Sequence, residues 1–373
     1  MSTTTQTQRI LAPMAAITHS AFRTLVHELG GCDLYFSEMI SAEAFLGGTP
    51  FEYAYRDPRP VPERLVYQLV GRSEEAIVEA ARILAREPVL GIDVNMGCSA
   101  PQIAKKGGGV SWMDYPEAAA RLITALREAV PSKTVSAKFR LGTGKSPDEL
   151  RAFGRALERA GASFLTLHPR LRKQSYSRPS DWQYVNVLRE AVSLPVYGSG
   201  DVSNAAGFER RAQESGVDGI MIGRAAVMRP WIFSEIRRNR AAGGGSVQPT
   251  DHGRPDTERG RGRPDTERGG VDSEYVDLWA VAQRFNELLE AMQPEAFHKT
   301  RARRFYTYFL KNLAYGHRLA AQLQHLESYE EIVEHVASYF EDHPEHRYMS
   351  SAGSVLDGTV NSGSVVSQRS RST

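Results

Sequence analysis

The first 240 residues alternate between short apolar runs and amphipathic stretches, and this alternation limits the folds open to the chain. Between the runs lie helical patterns such as 74–86, 116–130 and 148–160, and Ser73 and Ser146 stand where helix N-caps are expected. Strands that alternate with helices form parallel sheets. Eight such units in about 230 residues fit a (β/α)8 TIM barrel better than an open doubly wound sheet. The predicted strands cover residues 10–12, 33–36, 65–69, 91–95, 134–138, 164–168, 194–197 and 219–222.

The sequence changes character after the eighth unit, which ends the predicted barrel domain at residues 1–240. Residues 241–271 contain Gly-Arg-Pro-Asp-Thr-Glu-Arg-Gly twice and few apolar residues, so we predict a disordered linker. Residues 272–345 have a purely helical pattern and predict a small all-helical C-terminal domain. Residues 346–373 are rich in Ser, Gly and Val without a period, which predicts a flexible tail.

Composition restricts the class of protein further. Hydrophobic residues make up 41% and charged residues 24% of the chain, as in water-soluble globular proteins. No apolar run approaches the roughly 20 residues that span a bilayer, and residues 1–9 lack the apolar core of a signal peptide. The two cysteines, Cys32 and Cys98, provide neither a disulfide framework nor a cysteine-rich metal site. We expect a cytoplasmic monomer without a metal ion or a membrane partner.

Polar and reactive residues follow the predicted strands at their carboxyl ends, where TIM barrels carry their active sites. Taken singly, each has an ordinary explanation: an isolated cysteine is usually a buried structural residue, Lys138 could be a solvated strand end, and His168 could be a core histidine. Seven strand ends that meet at one rim favour an active site instead. The residues are Pro13, Met14 and Ala15 after strand one, Gln68, Asn95 and Cys98, Lys138, His168, Ser199, Gly200 and Asp201, and Gly223 and Arg224.

Glycine-rich turns after strands seven and eight predict a phosphate site. Gly198–Asp201 and Gly223–Arg224 each precede a helix, whose N-terminal N–H groups favour an anion, and Arg224 can add a charged contact. The chain has neither a Rossmann fingerprint nor a P-loop. A flavin mononucleotide (FMN) fits this geometry, because its ring would reach Lys138, Gln68 and Met14. A lysine there stabilises the anionic reduced flavin, and Cys98 would face the substrate as proton donor.

At these residues the chain resembles the tRNA-dihydrouridine synthase family. The similarity runs in the family's order over about residues 10–235, and the Asn-Met-Gly-Cys and Met-Ile-Gly-Arg motifs are its most specific parts. One departure is the loop after strand six, where Pro169–Arg172 replaces the family's usual Gly-Arg-Thr-Arg run. The matching stretches are 12–18, 68–71, 92–98, 135–142, 167–168, 181–182, 195–201, 218–224 and 230–231.

The resemblance implies an FMN enzyme that reduces the C5–C6 double bond of particular uridines in tRNA, with NADPH or NADH as electron donor. Reduced flavin would pass hydride to C6, and Cys98 would protonate C5. Asn95 matches a position that contacts the target uracil. The residues that match FMN-holding positions are Pro13, Met14, Ala15, Gln68, Lys138, His168, Ser199, Gly200, Asp201, Gly223 and Arg224.

A helix predicted over residues 298–319 has one basic and aromatic face and one apolar face. Such a stripe is usually a solvated surface, but here every charge is positive and tyrosines lie between the charges, which suits phosphates and bases of RNA. We therefore expect Arg304, Lys311 and Arg318 to contact tRNA. The stripe consists of Arg301, Arg304, Tyr308, Lys311, Tyr315 and Arg318, and the opposite face of Ala302, Phe305, Tyr306, Phe309, Leu310 and Leu313.

Two other functions stay open at this stage. An FMN-barrel oxidoreductase of a free small molecule, similar to dihydroorotate dehydrogenase, would share Lys138 and the phosphate site but would not need the basic helical domain. A non-catalytic RNA-binding relative would have no use for Cys98, Lys138 and Arg224. Binding to bulk tRNA separates the first alternative, and a flavin spectrum of the purified protein separates the second.

Overall fold

A computed structural model describes residues 6–242 and 275–350, and its centre is a closed barrel of eight parallel strands. β1 pairs with both β2 and β8, which closes the sheet. The (β/α)8 prediction is therefore confirmed. The strands are β1 (Gln8–Leu11), β2 (Leu34–Ser41), β3 (Leu65–Val70), β4 (Gly91–Met96), β5 (Thr134–Phe139), β6 (Phe164–Leu167), β7 (Val196–Ser199) and β8 (Gly219–Ile222).

Helices cover the outside of the barrel. As predicted, Ser73 and Ser146 cap their helices, because their hydroxyls accept the N–H of Ala76 and Glu149. The helices are α1 (Ser20–Glu28), α2 (Ala42–Leu46), α3 (Pro50–Tyr53), α4 (Glu74–Leu84), α5 (Pro101–Ala104), α6 (Pro116–Ala129), α7 (Pro147–Arg159), α8 (Gln183–Ala191), α9 (Ala205–Ser215), α10 (Arg224–Met228) and α11 (Ile232–Ala241). Three 3-10 turns lie among them, at Ala54–Arg56, Pro62–Arg64 and Gly109–Asp114.

The barrel interior is packed with side chains and leaves only the carboxyl-end rim for chemistry. A separate apolar cluster fills it: Ile10, Ala12, Leu34, Phe36, Val66, Phe164, Tyr197 and Met221. The strand bounds differ from prediction most at β2, which continues to Ser41 instead of ending at Phe36. Its register with β3 shifts between Phe36 and Met39, so β2 contains an irregularity that an apolar pattern does not reveal.

The C-terminal domain contains four helices, α12 (Leu278–Met292), α13 (Glu295–Phe309), α14 (Gly316–Leu323) and α15 (Tyr329–Asp342). Two predictions about its ends need correction. The segment is not purely helical, because β9 (Tyr275–Asp277) pairs with β10 (Tyr348–Ser350). The residues of β10 also lie beyond the predicted start of the tail at 346, so this part of the predicted tail is a strand. A 3-10 turn at Pro344–His346 precedes β10. The repeats of the predicted linker and residues 351–373 lie outside the described residues.

The prediction of one continuous helix over residues 298–319 is also wrong, because α13 ends at Phe309. A 3-10 turn follows at Leu310–Asn312, and α14 starts only after Tyr315, whose φ of 59° reverses the chain. Gly316 is required there, since a Cβ would lie 1.7 Å from the carbonyl oxygen of Leu310. The predicted apolar face is nevertheless correct: all six of its residues are buried.

The C-terminal domain packs against the α1 side of the barrel. Phe305 of α13 stacks on Phe285 of α12 with ring centroids 3.8 Å apart, and it also meets Phe22 of α1 at 6.2 Å. Gln293 donates to the Ser20 hydroxyl over 2.6 Å. Apolar rings and polar contacts thus fix this domain on the barrel. Among the described residues, none of the helices has the length and apolarity to cross a membrane.

Candidate active site

Four polar side chains form one hydrogen-bonded row across β3, β4 and β5. Strand register places Gln68 beside Asp93 and Asp93 beside Ser136. Asp93 accepts hydrogen bonds of 2.7 Å from both Gln68 Nε2 and Ser136 Oγ, and Asn95 Nδ2 donates to Gln68 Oε1 over 2.8 Å. All four are buried. The row brings together the predicted residues Gln68 and Asn95, and it adds Asp93, which lies inside an apolar run and was not predicted.

The loop after β4 presents Cys98 at the rim. Asn95 Oδ1 accepts the N–H of Gly97 at 3.1 Å and that of Cys98 at 2.8 Å, which fixes the start of the loop. Gly109 closes over it with φ of 58°, and a Cβ there would lie 2.5 Å from the carbonyl oxygen of Cys98. Cys98 is half-buried. By contrast, burial raises the pKa of the Cys32 thiol to about 12, so Cys32 is a structural residue.

Lys138 lies next to Asn95 in strand register, with its side chain at the rim. Among the described residues its amine has no hydrogen-bond partner and no ion pair. Burial, followed by the charge of Arg140, lowers the pKa of this amine to about 8, while Asp93 and Cys98 act in the opposite direction. Lys138 is therefore a cation that can complement a negative ligand between β4 and β6.

His168, after β6, is a neutral imidazole of fixed tautomer. Burial, followed by nearby cations, lowers its pKa to about 2. Its Nε2 lies 2.7 Å from Arg170 Nη1, and arginine can only donate, so Nε2 accepts and the proton resides on Nδ1. His168 thus offers Nδ1–H to a ligand. The cations that act on it are Lys138, Arg140, Arg170 and Arg224.

Arg170 belongs to the loop that departs from the family pattern, and it is fully buried. It binds the Asp201 carboxylate over 2.6 and 2.8 Å, and Ser180 donates two further hydrogen bonds to the same group. Burial raises the pKa of Asp201, but these bonds outweigh it and hold the pKa below its usual value. The Asp201 carboxylate therefore braces the loop, and only its backbone N–H is available to an anion.

The turns after β7 and β8 fit a phosphate group. Gly200 has φ of 120° and Asp201 has φ of 54°, and the N–H groups of Gly200, Asp201 and Arg224 donate to no backbone carbonyl among the described residues. Ser199 is the last residue of β7 and adds a hydroxyl. Adjacent N–H groups of this kind form an anion-binding concavity. Backbone N–H groups of this kind beside an exposed arginine suit a phosphate group.

Arg224 is the exposed arginine at these turns, and its guanidinium makes only one long ion-pair contact among the described residues. Its side chain is 47% exposed, and its nearest carboxylate oxygen, on Asp201, is 3.6 Å away. The exposed ring of Tyr176 lies 4.8 Å from Arg224, and the guanidinium groups of Arg140 and Arg170 each lie 5.4 Å from the same ring. Tyr176 was not singled out from sequence, because it lies in a loop without periodic pattern.

The remaining predicted residues line the rim after β1. The N–H of Met14 donates to Thr18 Oγ1 at 2.9 Å, and Pro13 and Ala15 flank it. Met14 Sδ approaches Gly223 so closely that a Cβ there would lie 3.3 Å from the sulfur. Residues at the carboxyl ends of β1, β4, β5, β6, β7 and β8 thus lie at one rim of the closed barrel. An uncompensated lysine, a neutral His donor and a phosphate cradle fit FMN.

The basic residues of the predicted stripe separate into two groups. Arg304, Lys311 and Arg318 are exposed, and within the described ranges none of them forms an ion pair. Arg301 contradicts the prediction of one exposed stripe: it is buried and binds Glu38 of β2, with Nη2 3.0 Å from Oε2. Helical spacing alone does not tell whether an arginine such as Arg301 is buried or exposed. Its burial depends on whether another part of the fold packs against it, here β2 with Glu38.

A TIM barrel with a phosphate cradle, a rim lysine and a rim thiol defines a class of cofactor-dependent barrel enzymes. The dihydrouridine synthase (Dus) family model matches residues 10–250. A probable tRNA-dihydrouridine synthase of Aquifex aeolicus is 37% identical over 238 residues, which are 62% of this chain and 73% of that protein. The chain belongs to the dihydrouridine synthase family, and it is an enzyme.

Other relatives carry related names. The tRNA-dihydrouridine synthase B of Xanthomonas axonopodis is 32% identical over 234 residues, covering 63% of this chain and 70% of that protein. The tRNA-dihydrouridine(47) synthase of Cryptococcus neoformans is 33% identical over 248 residues. The match covers 62% of this chain but only 34% of the Cryptococcus protein, so this chain spans about a third of that relative's length.

Proposed function

We propose that this enzyme uses FMN to reduce particular uridines in tRNA to 5,6-dihydrouridine, with Cys98 as the proton donor and NADPH or NADH as the electron source. The observation that carries the proposal is the shared rim of Asn95, Cys98 and Lys138, because it combines a pyrimidine-binding amide, an acid and an unpaired cation. Family membership supports the reaction, and the geometry supports these particular residues.

The chain's own groups would hold the cofactor at both ends. The N–H groups of Gly200 and Asp201 with the Arg224 guanidinium would bind the phosphate, and the Nδ1–H of His168 would donate toward the flavin end. Lys138, largely protonated below its pKa of about 8, would complement negative charge on the ring. When bound, reduced FMN supplies the hydride that adds to C6 of the uracil.

Cys98 would complete the reduction by giving its thiol proton to C5. The thiolate left behind would be stabilised by a cation at the same rim, and Lys138 pairs with Asn95 at the end of the neighbouring strand. Asn95 orients the Cys98 loop and faces the pyrimidine from the adjacent strand position. The exposed cations Arg304, Lys311 and Arg318 would hold the tRNA backbone at a distance from the rim.

A Cys98→Ala variant tests the proposal. Purified wild-type protein should carry a flavin spectrum, bleach with NADPH and then convert uridine in unmodified tRNA. Cys98→Ala should keep FMN and its reduction by NADPH but lose most dihydrouridine formation. Cys32→Ala is the matched control, since Cys32 is buried and precedes β2, at the end of the barrel opposite the rim. Turnover of tRNA by Cys98→Ala at the wild-type rate would assign the proton to another group. Turnover of dihydroorotate but not tRNA would favour the small-molecule alternative.

A further inference from the structure

The chemistry proposed above gives no role to Asp93, the buried carboxylate in the row of β3, β4 and β5. Asp93 is fully buried on β4, and each of its oxygens accepts one hydrogen bond, from Ser136 and from Gln68. An ionised carboxylate is an acceptor only. Both neighbours must therefore turn a donor toward it, which fixes the direction of the Gln68 side-chain amide.

The orientation of the Gln68 amide in turn fixes the orientation of the Asn95 amide. Because the NH2 group of Gln68 faces Asp93, its carbonyl oxygen faces Asn95 and accepts from Nδ2 at 2.8 Å. Asn95 Oδ1 then accepts the N–H groups of Gly97 and Cys98. The row is anchored by a carboxylate at one end and by backbone donors at the other. A reversed amide would lose its hydrogen bonds on both sides, so a single orientation is stable.

The orientation decides what Asn95 can offer to a ligand. Both lone pairs of its oxygen are used by the loop, and one hydrogen of Nδ2 is used by Gln68. The second hydrogen of Nδ2 remains. Asn95 therefore meets a pyrimidine as a donor and matches a carbonyl oxygen, whereas an amino group at the same place would leave two donors facing each other.

We propose that Asp93 is a positioning residue that acts through Gln68 and Asn95, making Asn95 a donor toward the pyrimidine and holding the Cys98 loop in place. The inference rests on the proposed function for its substrate. A buried charge destabilises the fold unless it is well compensated, so a carboxylate is unusual inside a strand such as β4. The positioning role explains why Asp93 is there.

Replacing the Asp93 carboxylate by an amide, which can donate as well as accept, tests the proposal. Asp93→Asn can donate to Gln68 and so permits both amides to flip. The rate of tRNA reduction in a single turnover by pre-reduced enzyme should fall at least about tenfold, the effect of one misdirected buried hydrogen bond. The exchange Asp93→Asn/Gln68→Glu moves the carboxylate one position along the row and restores the direction at Asn95. Because Gln68 also matches an FMN-holding position, this exchange is compared with both single variants, Asp93→Asn and Gln68→Glu, at saturating FMN. The exchange variant should be at least about tenfold faster than the product of the two single effects predicts.

Ser136→Ala is the matched control, because it removes a hydrogen bond to Asp93 but leaves the direction of the row unchanged. It should stay near the wild-type rate. A second readout needs no cofactor or substrate: iodoacetamide should alkylate Cys98 several-fold faster in Asp93→Asn than in wild type, with buried Cys32 as internal reference. Flavin content and far-UV circular dichroism identify any variant that fails to fold.

The outcomes are distinct. A wild-type rate in Asp93→Asn, or an exchange variant whose loss of rate is only the product of the two single losses, overturns the positioning role. Should Asp93→Asn alone not fold, a folded exchange variant should be at least about tenfold faster than Gln68→Glu, and an equal rate would overturn the role. A wild-type enzyme that does not reduce tRNA would refute the proposed function instead, and the alkylation rates would then still test whether Asp93 holds the Cys98 loop.

Discussion

Replacing Arg301 by methionine should be among the most destabilising single changes in the C-terminal domain. The guanidinium is 3% exposed, lies 3.0 Å from the Glu38 carboxylate and sits over the rings of Phe297 and Tyr55 at 4.5 and 5.5 Å. Burial raises the pKa of Glu38, and Arg301 is the main opposing charge. Arg301→Met therefore leaves a buried carboxylate without its main ion-pair partner, and breaking such a pair typically destabilises a protein by about 3–5 kcal/mol.

The double variant Glu38→Gln/Arg301→Met distinguishes charge from packing. The amide side chain introduced by Glu38→Gln still offers an oxygen to the N–H of Ala16, which Glu38 accepts at 2.5 Å in wild type. Removing both charges also removes Arg301 Nη1, a buried donor without a partner. Neutral replacement of buried pairs is often tolerated, so the double variant should lie within about 1–2 kcal/mol of wild type.

Urea denaturation followed by far-UV circular dichroism measures these free energies of unfolding. Arg304→Met is the matched control on the same helix: its side chain is exposed, and the change should stay within about 0.5 kcal/mol. A loss below about 1 kcal/mol for Arg301→Met, with the effects of Glu38→Gln and Arg301→Met simply additive, would show that the pair is not a compensated buried charge.

Three further predictions concern the cofactor, the RNA and pH. Arg224→Ala should weaken FMN binding about tenfold by removing a charged phosphate contact, and full flavin content after dialysis would count against the cradle. Joint replacement of Arg304, Lys311 and Arg318 by Ala should weaken tRNA binding and flatten its salt dependence by roughly one unit of slope per lost phosphate contact, with NADPH reduction of the flavin unchanged; an unaltered slope would mean that RNA is held elsewhere. Burial raises the pKa of Asp93 from 3.8 to about 6, so the folded state binds its proton more tightly and this contribution to stability is lost as pH rises through about 6; Asp93→Asn should lack that loss in urea titrations at pH 4.5 and 7, and equal pH dependence in both proteins would contradict the assignment.

Much of the barrel was predictable because its signal is local. Period and length identify strands, and the carboxyl ends of parallel strands must converge, so Cys98, Lys138 and His168 could be assigned to one rim without coordinates. Asp93 was not predicted as a site residue, because the sequence around a charged residue in an apolar run does not show which side chains it contacts. The positions of Arg170 and Tyr176 at the site were not predicted, because the path of the loop after β6 depends on Asp201, which follows β7.

The opposite directions of Arg301 and Arg304 have a consequence for the cofactor as well as for stability. The irregular part of β2 carries Glu38, which binds Arg301 with one oxygen and the N–H of Ala16 with the other. Ala16, at φ of 58°, directly follows the residues proposed to contact FMN. Arg301→Met should therefore raise the dissociation constant of FMN, whereas Arg304→Met should leave it unchanged. Equal FMN affinity in both variants, measured on folded protein by flavin fluorescence, would show that the loop after β1 keeps its shape without the C-terminal domain's arginine.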